Sequence, residues 1–277
     1  METAPNMPPT ETAPAEAAAT FDTVHAPHVV VGDRGAGWIV EAWDLFKQAK
    51  LSWLLLALVG VVWLELLDSF SLLEVFDSLF SFVISAGLML ACQANYRQQS
   101  FNPALLVAGF RREYLGRLLG ANLVLIGLSL LIAGVGLGDL LWRIAGDESL
   151  QNLLKKAAAQ SDITDPEFMN TLAEVDQAFG LMGLLLRIVV ILLLALPLLA
   201  AAWFAPALIV LGNCNVKTAL WYSMKAATEN VLSFLIYGVL LLILALLMLL
   251  PWHIGYLLLI PLFQLSVYLS YRDIFVN

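Results

Sequence analysis

Charged side chains are scarce in this sequence. Asp, Glu, Lys and Arg make up 13% of its 277 residues, whereas soluble domains carry about 25%. The 14 basic residues are scattered along the chain and stand against 22 acidic ones, so we expect no polybasic surface and no nucleic-acid partner. Because 61% of the residues are apolar, the composition excludes an ordinary soluble enzyme and predicts a membrane protein.

Cysteine and histidine are also rare, with two and three residues. Cys92 and Cys214 fall at the ends of predicted spans on the side assigned below to the cytoplasm, so we expect two reduced thiols and no disulfide. His25 and His28 lie in a tail without supporting ligands, and we read them as solvated side chains. No zinc, nucleophile-elbow, phosphate-loop or kinase motif occurs. We therefore expect neither a metal nor a cofactor.

The first 35 residues differ in composition from the rest of the chain. They are rich in Ala, Pro, Thr and Glu and contain one aromatic residue, Phe21, which predicts a disordered cytoplasmic tail. This tail lacks the basic and apolar regions of a secretory signal, so we expect the first apolar run to direct insertion. Residues 36–277 are predicted to form one membrane domain.

Six apolar segments approach the roughly 20 residues that a helix needs to cross a bilayer. The sequence therefore predicts an all-α, polytopic membrane protein with six spans. We expect Pro197 to kink the long fourth span, and Pro206 is a second candidate for a break. The six segments are 51–67, 72–91, 115–138, 181–211, 231–250 and 254–271.

The distribution of basic residues predicts the orientation. Ten Lys and Arg residues lie on the side of both termini, and three, Arg143, Lys155 and Lys156, lie on the other. Basic residues in short loops stay in the cytoplasm, so both termini are predicted to be cytoplasmic. The long connection 139–180 shows two apolar stripes at helical spacing, one at 150–157 and one at 168–179, with Asp165 and Pro166 as the start of the second helix. It is predicted to form a periplasmic helical cap.

A repeated pattern suggests internal symmetry. Trp43 and Lys47 recur as Trp221 and Lys225 at an offset of 178 residues, each time in a predicted interfacial helix ahead of a membrane hairpin. A weaker copy, with Arg111 in register with Lys47, precedes the third span. The sequence predicts three tandem units of interfacial helix plus hairpin, and chance similarity between apolar segments is the alternative.

A family resemblance rests on the runs Trp203-Phe-Ala-Pro-Ala-Leu-Ile-Val-Leu and Phe234-Leu-Ile-Tyr-Gly-Val, on the connection 219–230, and on the ending Tyr271-Arg-Asp-Ile-Phe. They resemble an uncharacterised family of bacterial inner-membrane proteins, similar to the membrane domain attached to some glycerophosphodiester phosphodiesterases. The amphipathic segment 37–50 resembles that family's N-terminal segment. The resemblance covers most of residues 37–277 and is sharp from about residue 203 onward. It implies a six-helix bacterial inner-membrane fold and assigns no catalytic residue, and the soluble phosphodiesterase domain is absent from this sequence.

Polar residues near the outer membrane boundary form the candidate site. The first hairpin ends in a carboxylate cluster, which is either a solvated tip or a place where a cation, proton or substrate enters. The fourth span contains Arg187, which either extends its side chain to the interface or pairs with one of these carboxylates. Glu65 and Glu74 are the best-placed partners for it. The cluster consists of Glu65, Asp68, Glu74 and Asp77.

Small and polar residues in the third span predict helix contacts. Its stripe of glycines is expected to let neighbouring helices approach at the bundle centre. Asn122 in this span and Gln264 in the sixth are expected to form interhelical hydrogen bonds. Gly136-Leu-Gly-Asp139 matches a four-residue pattern of intramembrane aspartyl proteases, but its place at the outer end of the span favours glycines that end a helix. The stripe comprises Gly116, Gly120, Gly127 and Gly134.

Together these features favour a non-enzymatic protein that binds, scaffolds or moves a lipid or small solute in envelope homeostasis. Membrane lipids are the expected partners, and a homo-oligomer or an envelope protein partner is left open. The alternative is a membrane-embedded enzyme that acts on a lipid-linked substrate through outer-face carboxylates.

Overall fold

The described part of the chain contains ten α-helices. The computed structural model describes residues 21–69, 71–99, 103–159, 166–249 and 255–276, and over these ranges it contains no β-strand. Two short 3₁₀ turns, Pro103–Leu105 and Ala108–Phe110, precede α4. The helices are α1 (Arg34–Gln48), α2 (Lys50–Ser69), α3 (Ser71–Tyr96), α4 (Arg112–Gly146), α5 (Glu148–Ala159), α6 (Pro166–Phe179), α7 (Leu181–Val210), α8 (Val216–Glu229), α9 (Val231–Leu249) and α10 (Tyr256–Phe275).

Several helices have the length and apolar composition of membrane spans, which confirms the all-α membrane class. Four qualify among the described residues: Leu73–Tyr96, Arg112–Gly146, Met182–Val210 and Val231–Met248. α1 and α2 meet at an angle of 105° and give a fifth if the bent pair is one span. A sixth span is not found among the described residues, so six spans stay a prediction.

The buried core lies at one end of the helix set, where α1 meets the last turn of α10; we call this the terminal end and its opposite the far end. Trp38 and Tyr271 are fully buried there. Asp273 accepts hydrogen bonds from Trp38 Nε1 at 2.8 Å and from Arg34 Nε at 2.6 Å. α7 enters this core only with its last third, where residues 204–211 are buried, whereas its far half is largely exposed.

The segment 21–33, which we call the N-terminal strap, crosses the terminal end. Asp22 N donates to the Leu211 carbonyl at 2.8 Å and His25 N to the Phe275 carbonyl at 2.9 Å. The Asp22 carboxylate accepts from Arg97 at 2.8 Å. The predicted disorder is therefore wrong for residues 21–33, because helix ends leave carbonyls without intrahelical donors and the strap supplies those donors. Residues 1–20 lie outside the described residues.

The connection between α4 and α7 contains the two predicted helices, α5 and α6, which pack against each other. Asp147 caps α5, accepting from Ser149 N at 2.9 Å and from its hydroxyl at 2.5 Å. These hydrogen bonds lower the pKa of Asp147. The prediction that Gly136 and Gly138 end a helix is wrong, since α4 continues to Gly146. A glycine costs a helix only about 1 kcal/mol, which the surrounding apolar turns tolerate. The predicted start of α6 at Asp165 lies outside the described residues.

Polar groups join several helices. Asn122 Nδ2 of α4 donates to the Ser78 and Leu79 carbonyls of α3 at 2.7 and 2.8 Å, so its predicted interhelical role is confirmed. Gln264 contributes its backbone carbonyl, which accepts from Cys92 Sγ at 3.6 Å. The buried Ser223 hydroxyl of α8 donates to the Ala200 carbonyl and accepts from Phe204 N, both in α7. These bonds join α4 to α3, α3 to α10 and α8 to α7.

The elements that precede the predicted hairpins differ in structure. α1 and α8 are helices, as predicted, but the segment ahead of α4 forms two 3₁₀ turns, so the predicted helix there is wrong. This segment lies directly against α3, because a Cβ at Gly87 would meet the Leu106 carbonyl and one at Gly109 the Val83 carbonyl.

Candidate functional site

An ion pair joins α4 and α7 in the far half of the molecule. Arg187 NH1 donates to Asp139 Oδ1 at 2.5 Å. Asp139 lies seven residues before the end of α4, and Arg187 six residues after the start of α7. At 1.5 Å per residue, both lie roughly 9–10 Å from the helix ends. The pair therefore lies within both helices, roughly two turns from their far ends.

The described partner of Arg187 is Asp139 and not the predicted Glu74, whereas the side chain of Glu65, the other predicted partner, lies outside the described residues. α4 and α7 are antiparallel neighbours, so Asp139 comes to lie beside Arg187 although 48 residues separate them. Sequence reasoning considered Asp139 only as part of the protease-like pattern. The available signal was that an acidic and a basic residue lie near the outer ends of two consecutive predicted spans.

The predicted carboxylate cluster does not form a shared site among the described residues. Asp77 of α3 accepts from Trp63 Nε1 of α2 at 2.9 Å, which ties the two helices together. Glu74 is exposed on α3. The side chains of Glu65 and Asp68 lie outside the described residues.

A groove runs between the far halves of α4 and α7, and we call it the far groove. Its volume is about 730 Å³. Asp139 and Arg187 contribute the charged groups, and all the other lining residues are apolar or glycine. These others are Leu131, Ile132, Val135 and Gly136 from α4 and Leu186, Val190, Ile191 and Leu194 from α7.

The two walls of the far groove approach each other closely at Gly136. A Cβ there would lie 2.7 Å from the Ile191 side chain. The predicted packing stripe does not have this role in the described part of the chain. At Gly116, Gly127 and Gly134 a Cβ would meet no atom within 4 Å, and at Gly120 it would touch only Val216, at 3.8 Å. The glycine that permits close helix contact is therefore outside the predicted stripe.

Apolar side chains around the far groove are exposed on the chain itself. Leu186, Leu193 and Leu199 of α7 are 65%, 60% and 62% exposed, and Val135 of α4 is 80% exposed. An apolar surface this continuous is unfavourable in water. It indicates a lipid or protein environment around the two helices that carry the ion pair.

A second groove follows the α4–α7 interface, which we call the α4–α7 seam, toward the terminal end. There α8 forms a third wall, and we call this groove the terminal groove. Its volume is about 540 Å³. On α4, Leu128 lies one turn before Leu131, and on α7, Leu198 lies one turn after Leu194. Lys217 and Trp221 of α8 stand at its edge. Charged side chains thus lie near both ends of the α4–α7 seam, Asp139 and Arg187 toward the far end and Lys217 of α8 toward the terminal end.

No family model, curated protein or solved structure matches this chain. Within the described ranges no group of three His, Cys, Asp or Glu residues could hold a metal ion. Cys92 is buried, Cys214 is half-buried, and both are free thiols. Burial raises the pKa of Cys214, which lies between α7 and α8. The far groove is accordingly the candidate functional site.

Proposed function

We propose that this chain is a non-enzymatic protein of the bacterial inner membrane that binds a phospholipid in the far groove. Binding of this kind serves the scaffolding or movement of lipid in envelope homeostasis. The observation that carries the proposal is an apolar groove of about 730 Å³ whose charged groups are one carboxylate and one guanidinium.

The chemistry of the groove matches a phospholipid. Its apolar walls fit an acyl chain, whose burial is favourable at about 0.8 kcal/mol per CH₂ group. Arg187 has five N–H donors, and one of its nitrogens bonds Asp139, so donors remain for a phosphate. Asp139 in turn can accept from the ammonium of a zwitterionic headgroup. The ion pair is thus complementary to a headgroup that carries both charges.

The proposed setting of this groove is a six-span membrane domain with cytoplasmic termini, in which α5 and α6 form a periplasmic cap. The unequal distribution of basic residues supports this orientation. Three related units are proposed as well. Contacts between the helices support these units. α1 packs on α9 and α10, the 3₁₀ segment packs on α3, and α8 packs on α4 and α7. The leading element of each unit therefore lies on the hairpin of the unit before it, and the first unit lies on the last.

Native mass spectrometry of the full chain, extracted in a mild detergent, tests the proposal. The purified protein should retain phospholipid, and Val190→Trp should lower the lipid occupancy by filling the far groove. Leu192→Trp is the matched control, because Leu192 is 60% exposed on α7 and does not line the groove. Equal lipid occupancy in all three proteins would refute the proposal. Turnover in a panel of lipid hydrolase and transferase assays, lost in Asp139→Asn, would instead support the membrane-enzyme alternative.

A further inference from the structure

The terminal groove combines apolar walls with one charged side chain. α4 supplies Leu128, and α7 supplies Pro197 and Leu198. α8 supplies Lys217 and Trp221, both exposed. Lys217 is the single charged residue that lines the groove. The groove therefore differs from the far groove, where a carboxylate offsets the guanidinium.

Positive charge is concentrated where the groove meets the first turn of α8. Asn215 caps this helix by accepting from Thr218 N at 2.9 Å, and the unpaired N–H groups of a first helical turn favour an anion. Lys217 lies in that turn and makes no ion pair with any described residue. Arg117 of α4 holds the preceding loop, donating to the Asn213 and Cys214 carbonyls at 3.1 and 3.0 Å. Lys217 and the start of α8 thus lie at one edge of the groove, and Arg117 holds the loop that leads to this helix start.

We propose that the terminal groove binds an anionic phospholipid, with an acyl chain along Leu128, Pro197 and Leu198 and the phosphate beside Lys217. Trp221 lies one turn after Lys217 on α8, where an indole ring suits the interface between headgroups and chains. This site does not depend on the occupant of the far groove, since none of its lining residues is shared with that groove.

A lipid titration followed by native mass spectrometry tests the charge requirement. Full-length protein in detergent is titrated with phosphatidylglycerol and with phosphatidylcholine of the same chain length. The wild type should bind phosphatidylglycerol more tightly. Lys217→Gln should weaken phosphatidylglycerol binding about fivefold, the effect of one basic residue at an anionic membrane surface, and should leave phosphatidylcholine binding unchanged. Lys217→Arg should restore the preference.

Lys225→Gln is the matched control, because Lys225 lies on the same helix but pairs with Glu229 at 3.6 Å. It should keep the preference. Equal binding of the two lipids to the wild type, or an equal loss in Lys217→Gln and Lys225→Gln, would overturn the proposal.

A second pair of variants tests the walls of the groove. Leu128→Trp should fill it and reduce phosphatidylglycerol binding, whereas Leu130→Trp, at a 68% exposed position of the same helix outside the groove, should not. The same binding in both variants would contradict the proposed location. Val190→Trp fills only the far groove and should leave the phosphatidylglycerol preference intact, so failure of one lipid site is distinguishable from failure of the other.

Discussion

At the scale of single residues, the Asp139–Arg187 pair is the most unusual feature of the molecule. A charge next to hydrocarbon is unfavourable unless a partner or water compensates it. Here each charge compensates the other across the α4–α7 seam. Removing one partner therefore leaves the other uncompensated, whereas removing both restores neutrality.

This predicts a specific pattern in a double-mutant cycle. Arg187→Leu should lower the thermal unfolding midpoint in detergent, and adding Asp139→Asn should recover part of the loss. Glu74→Gln, a change at an exposed carboxylate on α3, should be additive with Arg187→Leu. The measurement is a thermal-shift assay of the three single variants, the two double variants and the wild type. Strict additivity of Asp139→Asn with Arg187→Leu would show that the pair has no energetic coupling.

At the scale of the elements, α1 is held against α9 by a close approach at its first turn. A Cβ at Gly35 would meet the Ser233 carbonyl, and Tyr237 N lies 2.9 Å from the same position. Both neighbours are backbone atoms, which cannot move aside as a flexible side chain can. Gly35 is therefore required for the contact between α1 and α9.

Gly35→Ala should destabilise the protein by about 1–3 kcal/mol, as overpacking does in other cores. Gly127→Ala is the control, since a Cβ there meets nothing within 4 Å and alanine favours a helix over glycine. Chemical or thermal unfolding should thus show a loss for the first variant and no loss for the second. Equal stability of the two variants would contradict the close approach.

The N-terminal strap is the second element whose role can be tested. Deleting residues 2–20 should leave the unfolding midpoint unchanged, because their composition offers little apolar surface. Deleting residues 2–33 should lower it, because the Leu211 and Phe275 carbonyls lose the donors that the strap supplies. Asp22→Asn in the full chain should produce a smaller loss, since Arg97 then bonds a neutral group. Identical midpoints for the two deletions would show that the strap does not stabilise the fold.

The elements also show what the sequence could predict. Long apolar runs located α3, α4, α7 and α9, because their period and length depend only on local residue types. The strap and the 3₁₀ turns were not predictable, since both exist through contacts with distant backbone, such as Gly87 against Leu106. The partner of Arg187 was missed for the same reason: it depends on which helices are neighbours. The far groove itself is a property of helix arrangement that no single segment encodes.

At the scale of the whole molecule, the terminal end is a packed core and the far end exposes apolar helix faces. The basic residues follow the same division, since most lie at the terminal end, whereas Arg143 lies in the last turn of α4 and Lys155 and Lys156 lie in α5. A membrane protein with this distribution is expected to keep its terminal end in the cytoplasm.

Reporter fusions measure this orientation directly. A fluorescent protein after Asn277 should be bright, as it is in the cytoplasm, and a periplasmic phosphatase fused after Gly146 should be active. Swapping the two reporters should silence both, which controls for expression. Activity of the phosphatase at the C-terminus would reverse the assigned topology.

Photo-crosslinking tests the central claim, a lipid held between α4 and α7, most directly. The full chain is reconstituted with a phospholipid that carries a diazirine in its acyl chain, irradiated and mapped by peptide mass spectrometry. Labelling should concentrate at 131–139 and 186–194 and fall in Val190→Trp. Leu235 and Leu246 of α9, which are 60% and 57% exposed, report ordinary contact with bulk lipid. Labelling of α9 as strong as that of the far groove, unchanged in Val190→Trp, would contradict the account.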